Sequence, residues 1–301
     1  MKSVLVTGAN GQLGIALRNI SDSFAGFDFY FTDVDSLDIC DKKQISSFVK
    51  KYNINVIVNC AAYTAVDRAE DETELCMSLN RDAVRIIGEV AISVGAKVIH
   101  VSTDYVFDGC GTRPYRENDT TNPTSVYGVS KLAGEQALLS VCSDTVIIRT
   151  AWLYYETGNN FVKTMLRLGA ERDISRDVVY KKGTLPEPLG VVADQIGTPT
   201  YAGDLAEAIK AVLTAERFVP GIYNYSNEGV CTWYDFAVRI FELTGIKCTV
   251  SPLTTDEYPT RAKRPAYSVL DKSKIKAIYG IKIPEWENSL EKCLKKLKIE
   301  S

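Results

Sequence analysis

Tyr127 and Lys131 stand four residues apart in Tyr127-Gly128-Val129-Ser130-Lys131. That spacing puts a phenol and an ammonium on one face of a helix. A free phenol, with a pKa of about 10, is a poor acid near neutrality. A fixed cation beside it favours the phenolate, lowers that pKa and makes Tyr127 a usable proton donor. With 16 tyrosines in the chain, such a spacing can arise by chance, so its meaning depends on its surroundings. Ser102-Thr103-Asp104-Tyr105-Val106-Phe107 supplies the first of these, at the end of an apolar run. Open α/β sheets gather ligands at the carboxyl ends of their strands. A Thr103 hydroxyl there can hydrogen-bond a carbonyl and polarise it. Thr103, Tyr127 and Lys131 then form a set of carbonyl clamp, proton donor and cation.

Such a set needs a reaction partner, and the N-terminus offers a place for one. Gly8-Ala9-Asn10-Gly11-Gln12-Leu13-Gly14 lies between Val4-Leu5-Val6, a strand, and a helix beginning near Gly14. Glycines in that turn let the backbone approach a pyrophosphate, and the helix N-terminus offers it free N–H groups. Asp33 follows about 20 residues later, where a carboxylate binds a ribose 2′-hydroxyl. No Arg or Lys occurs between Thr32 and Asp41, so the choice between NADH and NADPH leans to NADH. The alternative is that Asp33 only caps a turn. Asn59-Cys60-Ala61-Ala62-Tyr63-Thr64 ends another strand with small residues, suited to a ribose and nicotinamide.

The elements that must position these groups follow from periodicity. Val4–Val6, Phe27–Phe31, Val56–Val58, Lys97–Ser102 and Thr145–Ile148 read as strands. Between them Gly14–Ile20, Lys42–Lys51, Glu74–Gly95 and Tyr127–Leu139 read as helices. Alternation of this kind predicts an α/β fold, a Rossmann-type doubly wound parallel sheet. Residues 1–150 form the dinucleotide-binding part, with segment 195–225 returning to it. Residues 151–301 form a smaller, mainly substrate-binding lobe, with helices expected at Asn160–Leu168, Ala202–Thr214, Thr232–Leu243 and Leu290–Lys298. Loops are expected at Arg172–Leu189 and Pro252–Pro265.

Composition narrows the function classes. A net charge of −3 over 301 residues gives no reason to expect nucleic acid or an anionic membrane as partner. No apolar run reaches the roughly 18 residues of a membrane span, and Met1-Lys2 leads directly into a strand without a secretory segment. Eight cysteines are scattered without a Cys-x-x-Cys pair, which predicts free thiols in a cytoplasmic protein. The single histidine, His100, lies in a strand and reads as a satisfied core or edge residue, not a zinc ligand.

Together these residues resemble the extended short-chain dehydrogenase/reductase superfamily and, within it, the dTDP-4-dehydrorhamnose reductases. The blocks Asn59–Asp67, Ser102–Phe107 and Tyr127–Glu135 carry the wider resemblance. Arg149–Tyr154, Asn160–Leu166, Asp194–Thr200 and Arg264-Pro265 carry the narrower one. The resemblance implies that Tyr127 protonates the C4 oxygen of a nucleotide-linked 4-keto sugar as hydride arrives from the nicotinamide. Lys131 would tune Tyr127 and bind the nicotinamide ribose, with Thr103 as third member. Gly11, Gln12 and Leu13 would contact the pyrophosphate, Asp38 and Ile39 the adenine, and Ala62, Tyr63 and Thr64 the other half of the cofactor. Thr103, Asp104 and Trp152 would contact the sugar, with the indole as platform, and Arg264 the diphosphate. Trp152 as a core residue and Arg264 as a surface residue remain the plain alternatives.

Two departures from the family pattern stand out. The Arg172–Leu189 stretch is about a dozen residues longer than the pattern, an expected surface loop. Some members pair through magnesium on acidic side chains, and the matching positions here are Ala16 and Gly203. No metal is therefore expected, and the chain should be a monomer or a differently built homodimer. Competing readings are another reductase or an epimerase of the superfamily, or a non-catalytic nucleotide-binding subunit. Thr103-Asp104 does not match the Asp-Glu pair associated with the dehydratases.

Overall fold

The computed structural model describes residues 1–175 and 186–297. Five strands alternate with helices through the first half. They are β1 (Lys2–Thr7), β2 (Phe27–Thr32), β3 (Ile54–Asn59), β4 (Lys97–Thr103) and β5 (Thr145–Thr150). Strand Gly221–Asn224 pairs with β5 and completes a six-stranded sheet that is parallel throughout. The order reverses at β1, which pairs with β2 on one side and β3 on the other. A crevice opens at such a switch point, beyond the strands' carboxyl ends.

Side chains alternate across each strand and so divide between two cores. Val4, Val6, Val56, Val58, Ile99, Val146 and Ile148 face one core, with Leu13 and Leu17 of helix α1 (Gln12–Ile20) and Leu205 and Ile209 of helix Ala202–Thr214. Leu5, Ile57, Val98 and Ile147 face the other, with residues of α2 (Lys42–Lys51), α5 (Ala83–Ser93) and α6 (Val126–Val141). Each of these aliphatic side chains contributes about 1.5–3 kcal/mol by leaving water. Helix α2 starts where its pattern does because Asp41 caps it, accepting from the Lys43 and Gln44 N–H groups.

The region read as one helix, Glu74–Gly95, is divided. Helices α3 (Val66–Ala69) and α4 (Thr73–Met77) precede a π-helical turn at Ser78–Asp82, and α5 follows. The turn packs hard against α6: a Cβ on Gly134 would lie 2.0 Å from the Asn80 carbonyl oxygen. It also aims the Asn80 side chain at Tyr63, whose N–H it accepts and whose carbonyl it donates to. An extra residue in a helical turn is invisible to a 3.6-residue pattern.

Among the described residues, the remaining chain builds three two-stranded sheets and the helices Phe161–Glu171, Trp233–Thr244, Ser273–Tyr279 and Trp286–Lys296. Residues 176–185 of the expected Arg172–Leu189 loop lie outside the described residues, and Leu189 opens a strand, Leu189–Val192. A buried ion pair ties α6 to the sheet, with Arg149 Nη2 2.6 Å from Glu135 Oε2 and both side chains 2% exposed. Ala16 is buried in α1, and Gly203 lies in the first turn of Ala202–Thr214. All eight cysteines are free. No helix among the described residues is long and apolar enough to cross a membrane.

Candidate active site

A cleft of about 870 Å³ opens at the carboxyl ends of β1, β3, β4 and β5. It is large enough for an extended dinucleotide. Gly8 and Gly14 make its floor. Gly8 has φ +65°, and a Cβ there would lie 2.6 Å from the Ala61 N. A Cβ on Gly14 would lie 2.5 Å from Ala9 Cα, so glycine alone lets α1 approach β1 this closely. Gly11 starts α1 and no side chain caps it. The N–H groups of that first turn are left for an anion, and the glycine cradle fits a pyrophosphate.

Asp33 binds the turn itself. Its Oδ2 accepts the Asn10 N–H at 2.8 Å and its Oδ1 the Val34 N–H at 2.9 Å. It also lines the cleft, so bonding the turn does not take it away from the candidate site. Asp38, Ile39, Cys60, Ala61, Ala62 and Thr64 line the wall beside it. Burial pushes the Cys60 thiol up to about 12, leaving an inert wall residue. Tyr63 does not join them: its phenol donates to Glu72 at 2.7 Å, away from the cleft.

The candidate reacting groups come from β4, which ends in Thr103, and from α6, which carries Tyr127 and Lys131. Thr103 ends β4 and caps the turn Asp104–Val106 by accepting the Tyr105 N–H at 3.2 Å. Its hydroxyl donates to Asp104 Oδ1 at 2.9 Å. Asp104 is 3% exposed, and burial pushes its carboxyl up to about 6 against the opposing hydrogen bonds of Thr103 and Ser268. Ser125 caps α6, accepting the Gly128 N–H at 3.1 Å, and so places Tyr127 in the first turn. Gly128 allows contact with the Tyr105 carbonyl, where a Cβ would lie 2.3 Å away. Tyr105 meets the Tyr127 ring edge-on at 5.5 Å.

Lys131 lies one turn further along and also lines the cleft. Its nitrogen donates to the Val101 carbonyl at 2.7 Å and lies 3.5 Å from His100 Nε2. Burial pulls it down to about 8. The same desolvation holds the Tyr127 phenol above its ordinary value. Burial thus prevails at Tyr127 over the lowering expected from Lys131, whose nitrogen is bonded to the Val101 carbonyl. A phenol held protonated is nevertheless the form that a proton donor needs at rest.

Trp152 follows β5 with φ +48°, rare for a bulky residue. It lines the cleft, but Trp233 covers one face of its indole. Arg264 does not line the cleft. It pairs with Asp67 at 2.5 Å and donates to the Tyr105 phenol at 3.0 Å, one layer behind. Several cleft residues went unread in the sequence: Val34 and Leu37, Tyr105, and the pair Gly158 and Asn159. The last two arrive from the chain after β5, where Asn160 donates to Gln12 at 2.8 Å. Their only signal was nearness to the Asn160-Phe161 block.

Fold and cleft together define a nicotinamide-dependent oxidoreductase of the extended short-chain type. The family described as RmlD substrate binding domain matches residues 1–299. A dTDP-4-dehydrorhamnose reductase of Aggregatibacter actinomycetemcomitans is 41% identical over 97% of this chain and 98% of its own. The crystal structure of a dTDP-4-dehydrorhamnose reductase from Clostridium acetobutylicum superposes with a TM-score of 0.90 at 40% identity, covering 99% of this chain and 100% of that one. The Bacillus anthracis reductase, solved in complex with NADP, gives 0.89 at 38% identity over 98% and 100% of the two chains. The chain belongs to the dTDP-4-dehydrorhamnose reductase family.

Proposed function

We propose that this protein reduces the C4 ketone of dTDP-4-dehydro-L-rhamnose to dTDP-L-rhamnose, with Tyr127 as the proton donor. The observation that carries the reading is the convergence of Thr103, Tyr127 and Lys131 on the cleft that begins at the glycine turn. The cofactor, NADH or NADPH, supplies the hydride when bound. Gly8, Asn10, Gly11, Gln12, Leu13 and Gly14 hold its pyrophosphate, and Asp33, Asp38 and Ile39 border its adenosine. Asp33 places a negative charge where a 2′-phosphate would lie, which favours NADH. The relative from Bacillus anthracis was solved with NADP, so the two cofactors are compared directly in the test.

The Thr103 hydroxyl, turned from Asp104 to the substrate, orients the sugar carbonyl. Tyr127 gives its proton to the C4 oxygen, and Lys131 holds the nicotinamide ribose and stabilises the phenolate that remains. Asp104 and Trp152 contact the sugar, the indole through its edge and free face. Arg264 reaches the diphosphate only by leaving Asp67. We further infer a cytoplasmic monomer, or a homodimer built without a metal. Mixing the protein with reduced cofactor and dTDP-4-dehydro-L-rhamnose tests the reading. Stoichiometric loss of NADH or NADPH absorbance supports reduction. Sugar conversion without net oxidation supports an epimerase, and binding without either supports a non-catalytic subunit.

A further inference from the structure

His100 has no role in the mechanism above, yet it is fully buried directly beneath Lys131. Hydrogen-bond accounting determines the state of its ring. The Asn59 side chain bridges His100 and the cofactor wall, and its amide could in principle face either way. The Ala61 N–H resolves this, because a backbone amide only donates, and its acceptor at 3.2 Å is the Asn59 oxygen. The same oxygen accepts the Thr7 hydroxyl at 2.6 Å. The NH2 of Asn59 therefore points at His100 Nδ1, 3.0 Å away. Nδ1 must accept, so the ring's proton sits on Nε2. An imidazolium would set Nδ1–H against that NH2, so the ring stays neutral.

Nε2–H then faces the Lys131 nitrogen at 3.5 Å. As an amine, Lys131 accepts from it and still donates to the Val101 carbonyl at 2.7 Å. As an ammonium, Lys131 meets an opposed donor there, and its remaining hydrogens turn toward the cleft. We propose that His100, pinned as its Nε2–H tautomer by the Thr7–Asn59 chain, is a positioning residue that sets the direction and charge of Lys131. The inference rests on Lys131 belonging to the reaction site. The other titratable groups facing Lys131 are Glu135, Cys76 and Cys60. Burial keeps both thiols neutral, and Glu135 is engaged by Arg149. His100 is thus the uncharged neighbour able to oppose the ammonium.

The chain has one histidine, so a ¹⁵N-histidine label reports on this ring alone. Long-range ¹H–¹⁵N spectra of the unaltered protein should show the Nε2–H tautomer, unchanged from about pH 5 to about pH 9. An Nδ1–H tautomer, or titration near the ordinary value of about 6.5, would overturn the proposal. In steady-state kinetics, His100→Phe removes the opposing N–H and keeps a ring. The alkaline limb of kcat should move up by about one pH unit, with the sugar KM changed less than about twofold. A limb that stays in place, or parallel losses in kcat and KM, would show a merely structural residue. If His100→Phe does not fold, the spectra of the unaltered chain still decide. Failure of the reductase reading would appear separately, as absent cofactor oxidation in the wild type.

Discussion

Trp152 and Trp233 stack face to face, their ring centroids 3.5 Å apart and their planes within 10°. Trp152 reaches this position only by adopting φ +48°, a conformation that costs about 1–3 kcal/mol and persists where the surroundings impose it. Trp233 opens its helix behind a capping box formed by Thr232 and Asp235, so the backing indole is itself fixed. Gly197 also leaves the indole little slack, since a Cβ there would lie 2.6 Å from its six-membered ring. Trp152 is thus held at the cleft by residues that follow it in sequence, Gly197 and Trp233.

Removing the backing ring should therefore loosen the sugar contact and spare the chemistry. Trp233→Leu is expected to raise the KM for the nucleotide sugar by about 2- to 10-fold, from the roughly 0.5–1.5 kcal/mol of an aromatic pair. The kcat and the cofactor affinity should stay within about twofold of wild type. Steady-state kinetics with each substrate varied in turn decide it, and an unchanged sugar KM would remove Trp152 from the substrate site.

Tyr127→Phe deletes one hydroxyl and leaves the ring that packs on Tyr105. Turnover should fall by about 10²- to 10⁴-fold, the usual contribution of a placed acid. Cofactor binding, followed by fluorescence titration, should be nearly unaffected. Wild-type turnover in this variant would take Tyr127 out of the mechanism.

Gly14→Ala probes the glycine floor. The added methyl would press on Ala9 Cα at 2.5 Å and on the Gly8 carbonyl oxygen at 2.5 Å. Relief requires α1 to move off β1, so cofactor affinity should drop at least about tenfold and stability by about 1–3 kcal/mol. Calorimetric titration with NADH and chemical unfolding measure the two effects.

Glu135→Gln strands a guanidinium in the core. Arg149 is 2% exposed, and its Nε and Nη2 both donate to Glu135. Breaking one side of a buried pair costs about 3–5 kcal/mol. The midpoint of denaturant unfolding should shift accordingly, and a loss below about 1 kcal/mol would mean the charge is relieved by water.

Asp104 makes stability depend on pH in an unusual direction. Burial raises its carboxyl from 3.8 to about 6, so the folded state holds this proton more tightly than the unfolded chain. That contribution favours folding at low pH and is lost as pH rises from about 4 through about 6. Asp104→Asn removes the titration. Relative to wild type, the variant should gain on the order of 2–3 kcal/mol between pH 4 and pH 7. Thermal unfolding across that range shows it, and a constant difference would contradict it.

Much of this architecture was legible in the chain because local rules generate it. All five strands of the first half were read within a residue or two of their ends, since a buried parallel strand is a short apolar run with abrupt limits. The glycine turn, Thr103, Tyr127 and Lys131 were legible for a related reason: each sits where a strand ends or a helix begins. The π-turn at Ser78–Asp82 was not, because inserting a residue leaves the apolar pattern on either side intact.

Direction was not legible. The Tyr63 and Arg264 side chains are turned to Glu72 and Asp67, partners that no local pattern announces. Lys131 has the predicted spacing from Tyr127, but its nitrogen is turned to Val101 and His100. Sequence by itself determined which residues stand at the sheet's carboxyl edge, because strand length, helix caps and glycine placement are local properties. Only the tertiary structure decided which way their side chains point and how strongly burial acts on them. Those outcomes depend on partners such as Trp233, Asn59 and Asp67, brought there by segments up to about 200 residues away. Orientation and desolvation are properties of the assembled core, so they enter only once it closes.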